Sequence, residues 1–160
     1  MEQIKQDFRC FAIVAHHDQT YDSHPYAFHL AQVECILVEF GFDGDDWRAA
    51  AWLHDVLEDT ETQKDVVQQL YGPDVANIVF AVSGFGANRK IRNQCIHDKI
   101  EAYPPAAILK LADRIANVEH GKRNASKHFD MYRQELPVFR ELIQPKVPKD
   151  MWERLESLFH

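Results

Sequence analysis

The run His54-Asp55-Val56-Leu57-Glu58-Asp59 places one imidazole and three carboxylates within six residues. On a helix, residues four apart share a face, which pairs His54 with Glu58 and Asp55 with Asp59. Trp47 and Ala51 extend the His54–Glu58 stripe, so that stripe is expected to face the interior. Polar groups on such a face need partners, because unpaired charge is costly out of water. A divalent cation would supply one. Imidazole nitrogen with carboxylate oxygen suits manganese, iron or zinc better than calcium. The adjacent His-Asp pair can ligate one ion from a single helix, and other segments must then complete the shell. His29 lies on the interior stripe of a neighbouring predicted helix. Asp113 lies in Lys110-Leu111-Ala112-Asp113-Arg114, where small alanines allow close helix packing, and Asn117 shares its face. Singly, each residue has an ordinary reading as a hydrogen-bonded core histidine or a solvated or capping acid. Their joint spacing points to metal chemistry.

A second feature is basic. Asn88-Arg89-Lys90-Ile91-Arg92-Asn93 holds three of the chain's 18 Lys and Arg residues. It reads equally as a solvated helix start and as a phosphate clamp, since guanidinium binds phosphate bidentately. Gly84-Phe85-Gly86 precedes it, but without a third glycine or a preceding strand it is not a dinucleotide-binding loop.

Helical periodicity accounts for the elements that must carry these residues. Ile4, Phe8, Phe11, Ala12 and Ala15 mark a first helix, with a polar break from Gln19 to His24. Pro25 is expected to open a second helix with the stripe Tyr26, His29, Leu30, Val33, Leu37, Phe40, ending at Gly41. A third, capped by Asp45 or Asp46, runs through Ala50, Ala51, His54, Leu57 and Glu58. Further helices are expected from Thr62 to Gly72, from Pro73, over Arg89–Ala102, after Pro104-Pro105, and around 126–143 and 149–160. No alternating strand pattern stands out. The expectation is an all-α, compact helical bundle.

At 160 residues the chain suits a single domain spanning 1–160, and 46% apolar with 27% charged residues is the composition of a globular protein. A net charge of −7 disfavours a nucleic-acid backbone as partner while leaving room for a small phosphorylated substrate neutralised by a cation. No apolar run reaches membrane-span length and Met1 to Arg9 lacks a signal-peptide core, which predicts a cytoplasmic protein without membrane attachment. Cys10, Cys35 and Cys95 are odd in number, form no CxxC pair, and read as reduced thiols, two of them on apolar helix faces. A homo-oligomer is compatible with these features.

Three motifs, in order along residues 10–118, resemble the hydrolase domains of the RelA/SpoT type, which are HD domains. His16-His17-Asp18-Gln19 with Pro25-Tyr26-Ala27-Phe28-His29 is similar to their H-x-x-Q…P-Y-x-x-H entry. His54 to Asp59 matches H-D-x-x-E-D. Lys110-Leu111-Ala112-Asp113 with Asn117 matches K-L-A-D-x-x-x-N. The length resembles that of the stand-alone small alarmone hydrolases. The resemblance implies an HD-type bundle with a manganese ion held by His29, His54, Asp55 and Asp113. It also implies that Glu58 and Asp59 serve the hydrolytic water and that Asn117 contacts the nucleotide. The reaction implied removes pyrophosphate from the 3′ position of guanosine tetra- or pentaphosphate.

Members acting on guanosine alarmones carry an Arg-Lys pair before P-Y-x-x-H, whereas this loop is shorter and reads Thr20-Tyr21-Asp22. Tyr21 can stack on any purine, so adenosine alarmones are expected substrates alongside guanosine ones. Arg89, Lys90 or Arg92, with Lys110, are expected to neutralise phosphate oxygens. No residue suggests a covalent nucleophile, and direct attack by water is expected. The competing reading is a nucleotidase, or a phosphatase of a 2′- or 3′-phosphorylated cofactor. A non-catalytic binding module has no chemical need for all six of His29, His54, Asp55, Glu58, Asp59 and Asp113.

Overall fold

The computed structural model describes residues 6–160, and Ile4, assigned above to the first helix, lies outside them. Helix α1 (Phe8–Ala15) is capped by Asp7, whose carboxylate accepts from the amides of Arg9 and Cys10 at 2.8 and 3.1 Å. The Gln19–His24 break then folds into a small antiparallel hairpin. Its strands are β1 (Thr20–Tyr21) and β2 (His24–Pro25), with Tyr21 opposite His24. Asp22 turns the chain at φ 55°, a left-handed conformation that Asp tolerates better than most residues. The hairpin takes Pro25, expected to open the second helix, and α2 starts later, spanning Ala27–Glu39.

The remaining helices are α3 (Asp45–Leu53), α4 (Val56–Asp59), α5 (Lys64–Tyr71), α6 (Pro73–Ala81), α7 (Arg89–Ala102), α8 (Ala106–Arg123), α9 (Lys127–Ile143) and α10 (Lys149–Ser157). Local chemistry sets several boundaries. Gly72 adopts φ +95° between α5 and α6, and Pro73 takes the first position of α6, where its missing N–H costs nothing. Asn88 caps α7 by accepting from Ile91 N at 3.0 Å. The fold is all-α apart from the hairpin. No helix among the described residues is long and apolar enough to cross a membrane.

The core is centred on α8, whose Leu109, Leu111, Ala112, Ile115 and Val118 have no solvent exposure. Around it pack α2, α9 and α10, and α3 lies against α2. Ala49, Ala50 and Ala51 are buried on α3 and allow close approach. All three cysteines are free, but Cys10 and Cys35 are exposed and Cys95 is half-buried. The expectation of two cysteines on apolar faces fails because α1 buries Ala12 and α2 buries His29, Leu30, Val33 and Leu37, stripes that leave Cys10 and Cys35 on the outside.

One buried polar cluster ties the first three helices together. Glu34 of α2, only 8% exposed, accepts from Arg9 of α1 (2.5 Å) and from Arg48 (3.0 Å) and Trp52 Nε1 of α3. Burial alone would raise its pKa, but the hydrogen bonds from Trp52, Arg48 and Arg9 outweigh burial and hold it below the ordinary value. A carboxyl lowered in the folded state stabilises above its unfolded pKa and loses that contribution as pH falls through the folded value. Glu34→Ala is expected to cost about 2 kcal/mol, as for a carboxylate in charge-assisted hydrogen bonds, measured by urea denaturation at pH 7. The difference from wild type should shrink as pH falls below about 4.5. A difference independent of pH would show that ionisation of Glu34 contributes nothing.

Candidate metal and phosphoester site

The central departure from a regular helix occurs at the His-Asp pair. Helix α3 stops at Leu53 and α4 begins at Val56, so His54 and Asp55 lie in the break and not within one continuous helix. Asp55 has φ −107° and ψ 0°, in the sparsely populated bridge region. In a regular helix adjacent side chains diverge. The break instead brings Asp55 Oδ2 to 2.9 Å from His54 Nε2. Glu58 and Asp59 are partly open to solvent, Glu58 on the wall of the cleft over the cluster and not packed in the core as its stripe with His54 suggests.

Three segments converge here. His29 Nε2 from α2 lies 3.3 Å from His54 Nε2 and 3.0 Å from Asp113 Oδ1 of α8. His54 Nε2 lies 3.2 Å from the same Asp113 oxygen, and His29 Nε2 is 4.0 Å from Asp55 Oδ2. One ligand atom from each of His29, His54 and Asp55 falls within 4.8 Å of the others, a spacing that can hold one metal ion. Asp113 Oδ1 adjoins both imidazoles.

The donor chemistry fits a cation. His54 Nδ1 donates to the Ala51 carbonyl at 2.7 Å, which leaves Nε2 as the ring nitrogen facing the cluster, where a cation would take the place of its proton. Burial opposes charge on His54, Asp55 and Asp113, yet neighbouring charges prevail. His54 holds Asp55 well below the usual carboxylate range, and Lys110 and His54 do the same for Asp113. Those two carboxylates raise His54 well above an ordinary imidazole. Two ionised carboxylates therefore favour positive charge at this point.

Surrounding contacts orient the donors. Tyr26 Oη donates to Asp55 Oδ2. Lys110 Nζ donates to Asp113 Oδ2 at 3.3 Å and Asn117 Nδ2 to Asp113 Oδ1 at 3.1 Å. Tyr21 Oη donates to Asn117 Oδ1 at 2.7 Å, and the Tyr21 ring stacks on His29 with centroids 4.6 Å apart. Tyr21, expected to stack on a base, thus spends one ring face on His29, because the hairpin swings it over α2. Glu58 accepts from Gly84 N, and Asp59 Oδ2 from Gln19 Nε2 at 2.9 Å. Desolvation, then the charge of Asp55, raises both Glu58 and Asp59 above ordinary carboxylates.

A cleft of ≈160 Å³ opens over the cluster, lined by Glu58, Arg89, Arg92, Lys110, Asn117 and Arg114 among others. Arg89 is held by Glu135 at 2.7 and 3.0 Å, and Arg114 pairs with the same carboxylate at 3.3 Å. Lys90 does not line the cleft. The helical rotation between Arg89 and Arg92 carries the intervening Lys90 onto the outer face of α7, where it is exposed. Sequence reasoning had not singled out Tyr26, Gln19 or Arg114 as individual site residues. Tyr26 is legible as a helix-stripe residue and a motif letter, Gln19 only as a motif letter, and Arg114 only as the neighbour of Asp113.

A bundle with this His/Asp cluster is an HD domain, and the chain belongs to the HD domain family, whose model matches residues 9–146. Among curated relatives, the bifunctional (p)ppGpp synthase/hydrolase SpoT of Escherichia coli is 31% identical over 159 residues, covering 88% of this chain and 22% of that protein. The guanosine-3′,5′-bis(diphosphate) 3′-pyrophosphohydrolase MESH1 of Drosophila melanogaster is 31% identical over 114 residues, 69% of this chain and 64% of that one. The chain therefore spans about a fifth of the length of SpoT and less than two thirds of MESH1. Among solved structures, a metazoan ortholog of SpoT described as hydrolysing ppGpp superposes with a TM-score of 0.81 at 24% identity, covering 95% of this chain and 91% of that one.

Because Tyr26 fixes the orientation of Asp55, Tyr26→Phe is expected to weaken divalent-cation binding by about 10–100-fold, the usual cost of losing such an outer contact. Calorimetric titration with manganese checks this. Unchanged affinity would mean that Asp55 needs no help from Tyr26.

Proposed function

We propose that this chain is a metal-dependent (p)ppNpp 3′-pyrophosphohydrolase, with residues 1–160 acting as one hydrolase unit on guanosine or adenosine alarmones. The observation that carries the reading is the convergence of two imidazole Nε2 atoms and two ionised carboxylates beneath a cleft walled by Arg89, Arg92 and Lys110. The names of its relatives support the substrate class. In this reading His29, His54, Asp55 and Asp113 hold manganese, a metal suited to mixed nitrogen and oxygen donors. Other divalent transition metals suit the same donors.

A bound metal supplies Lewis acidity toward the attacking water and a phosphoryl oxygen. Glu58 and Asp59 orient that water and take its proton, a role suited to carboxyls with raised pKa. Lys110 pairs with Asp113, lines the cleft and offsets phosphate charge, as do Arg89 and Arg92. Asn117 positions the nucleotide while bridging Asp113 and Tyr21. Tyr21 acts chiefly by buttressing His29, on which its ring stacks. Lys90 has no part in the reading.

Two outcomes test it. Asp113→Ala should lower both metal content and turnover, whereas full metal occupancy by elemental analysis would remove Asp113 from the shell. Chromatography of a nucleotide panel with manganese should show pyrophosphate released from both ppGpp and ppApp, with kcat/KM for the two bases within about a hundredfold, roughly 2.7 kcal/mol. A larger preference for guanine would mean that base-edge contacts replace the missing Arg-Lys pair. Orthophosphate release from simple monophosphates, with both alarmones left intact, would instead assign the site to a nucleotidase.

A further inference from the structure

Glu58 sits at the end of a chain of contacts that begins outside the cleft. Its Oε1 accepts from Gly84 N, which leaves Oε2 for a water. Gly84 belongs to the loop joining α6 to α7, and this loop is held from both sides. Ser83, fully buried, donates its hydroxyl to the Val79 carbonyl at 2.7 Å. Lys99 of α7 donates from Nζ to the carbonyls of Ser83 and, at 2.7 Å, of Phe80. The ammonium therefore satisfies acceptors at the carboxyl end of α6, where the helix dipole favours positive charge. It also lies 4.1 Å from the Phe80 ring centroid and 4.9 Å from that of Phe85, so aromatic faces flank it.

Gly84 has no room for a side chain on the side that faces α7. A Cβ built there would lie 2.7 Å from the Arg92 carbonyl oxygen and 3.0 Å from Ile96 Cδ1. The Ser83 carbonyl and the Gly84 N–H belong to one planar peptide group, so Lys99 and Glu58 grip the two ends of the same unit. Burial lowers the Lys99 pKa, and the two carbonyls it reaches supply partners for its half-buried ammonium. Lys99 does not line the cleft.

We propose that Lys99 is a positioning residue for catalysis, acting through Ser83 and Gly84 to aim the Glu58 carboxylate, and that it does so without touching substrate or metal. The inference rests on the role given to Glu58 above. Lys99→Met keeps the apolar stem and removes the donor, and Lys99→Arg restores a cation.

In the full chain with manganese, Lys99→Met should lower kcat for ppGpp about tenfold, a fraction of what a water-orienting carboxylate contributes. KM and metal content should hold, and Arg should recover most of the loss. In a Glu58→Gln background the Lys99→Met change should add nothing, since both act on one group. A readout independent of turnover is the amide resonance of Gly84 in ¹⁵N-labelled protein. Glu58→Gln should shift it, and Lys99→Met should shift it in the same direction.

Full additivity of the two substitutions, an unchanged kcat in folded Lys99→Met, or a Gly84 amide that ignores Lys99 would each overturn the proposal. If Lys99→Met does not fold, Lys99→Gln, which shortens the donor and removes its charge, takes its place in the cycle with Glu58→Gln and in the Gly84 amide measurement. Failure of the wild type to cleave any alarmone would overturn the function reading, while the Gly84 resonance still decides whether Lys99 is linked to Glu58.

Discussion

The constraint on which the rest of the molecule turns is that two adjacent residues, His54 and Asp55, present their side chains to the same point. A regular helix forbids this, because neighbouring side chains point about 100° apart. The chain meets the requirement by ending α3 at Leu53 and restarting at Val56, with Asp55 in the bridge region. Such a break inside a packed bundle leaves polar atoms to be satisfied, and the surroundings do so. Ala51 O accepts from His54 Nδ1, Tyr26 donates to Asp55, and the amide of Asp59 still finds the Asp55 carbonyl at 3.0 Å.

Helices α2 and α8 are placed by the same requirement. The cluster needs an imidazole from one and a carboxylate from the other within about 3 Å, so both must cross close to the break. Small residues make the approach feasible: Ala49, Ala50 and Ala51 on α3, and Ala112 and Ala116 flanking Asp113 on α8, are buried. The Glu34 cluster, one helical face away on α2, fixes α1 and α3 to the same element. Buried polar side chains therefore appear twice on α2. At Glu34 donors from Arg9, Arg48 and Trp52 answer the carboxylate, and His29 lies 3.0 Å from the Asp113 carboxylate.

The acidic balance of the chain and the anionic substrate proposed for it are reconciled locally. Arg89, Arg92, Arg114 and Lys110 come together on one wall although they are drawn from α7 and α8. Glu135 from α9 holds Arg89 and Arg114 in place, and Tyr132 and Phe139 face the Arg114 guanidinium at 4.7 and 4.2 Å. The positive wall is thus fastened to the core, not displayed on flexible stems.

The sequence by itself determined the helical class, most helix positions and the set of ligand-type residues. Those depend on periodicity, caps and motif spacing, which are local properties. Arg89–Ala102 was bounded correctly because Asn88 is a good cap and Tyr103-Pro104 a poor continuation. The tertiary structure alone decided what depends on neighbours distant in sequence. Periodicity favours an unbroken helix through His54, and only packing against α2 and α8 makes the break worthwhile. The two-residue strands carry too little pattern to be seen, yet their pairing moves Tyr21 from a free stacking surface onto His29. Helical rotation separates Lys90 from Arg89 and Arg92, and that separation acquires meaning only once the position of the cleft is known. Gln19, Tyr26 and Arg114 escaped notice as individuals because a polar residue near a motif declares its function only through the atom it touches.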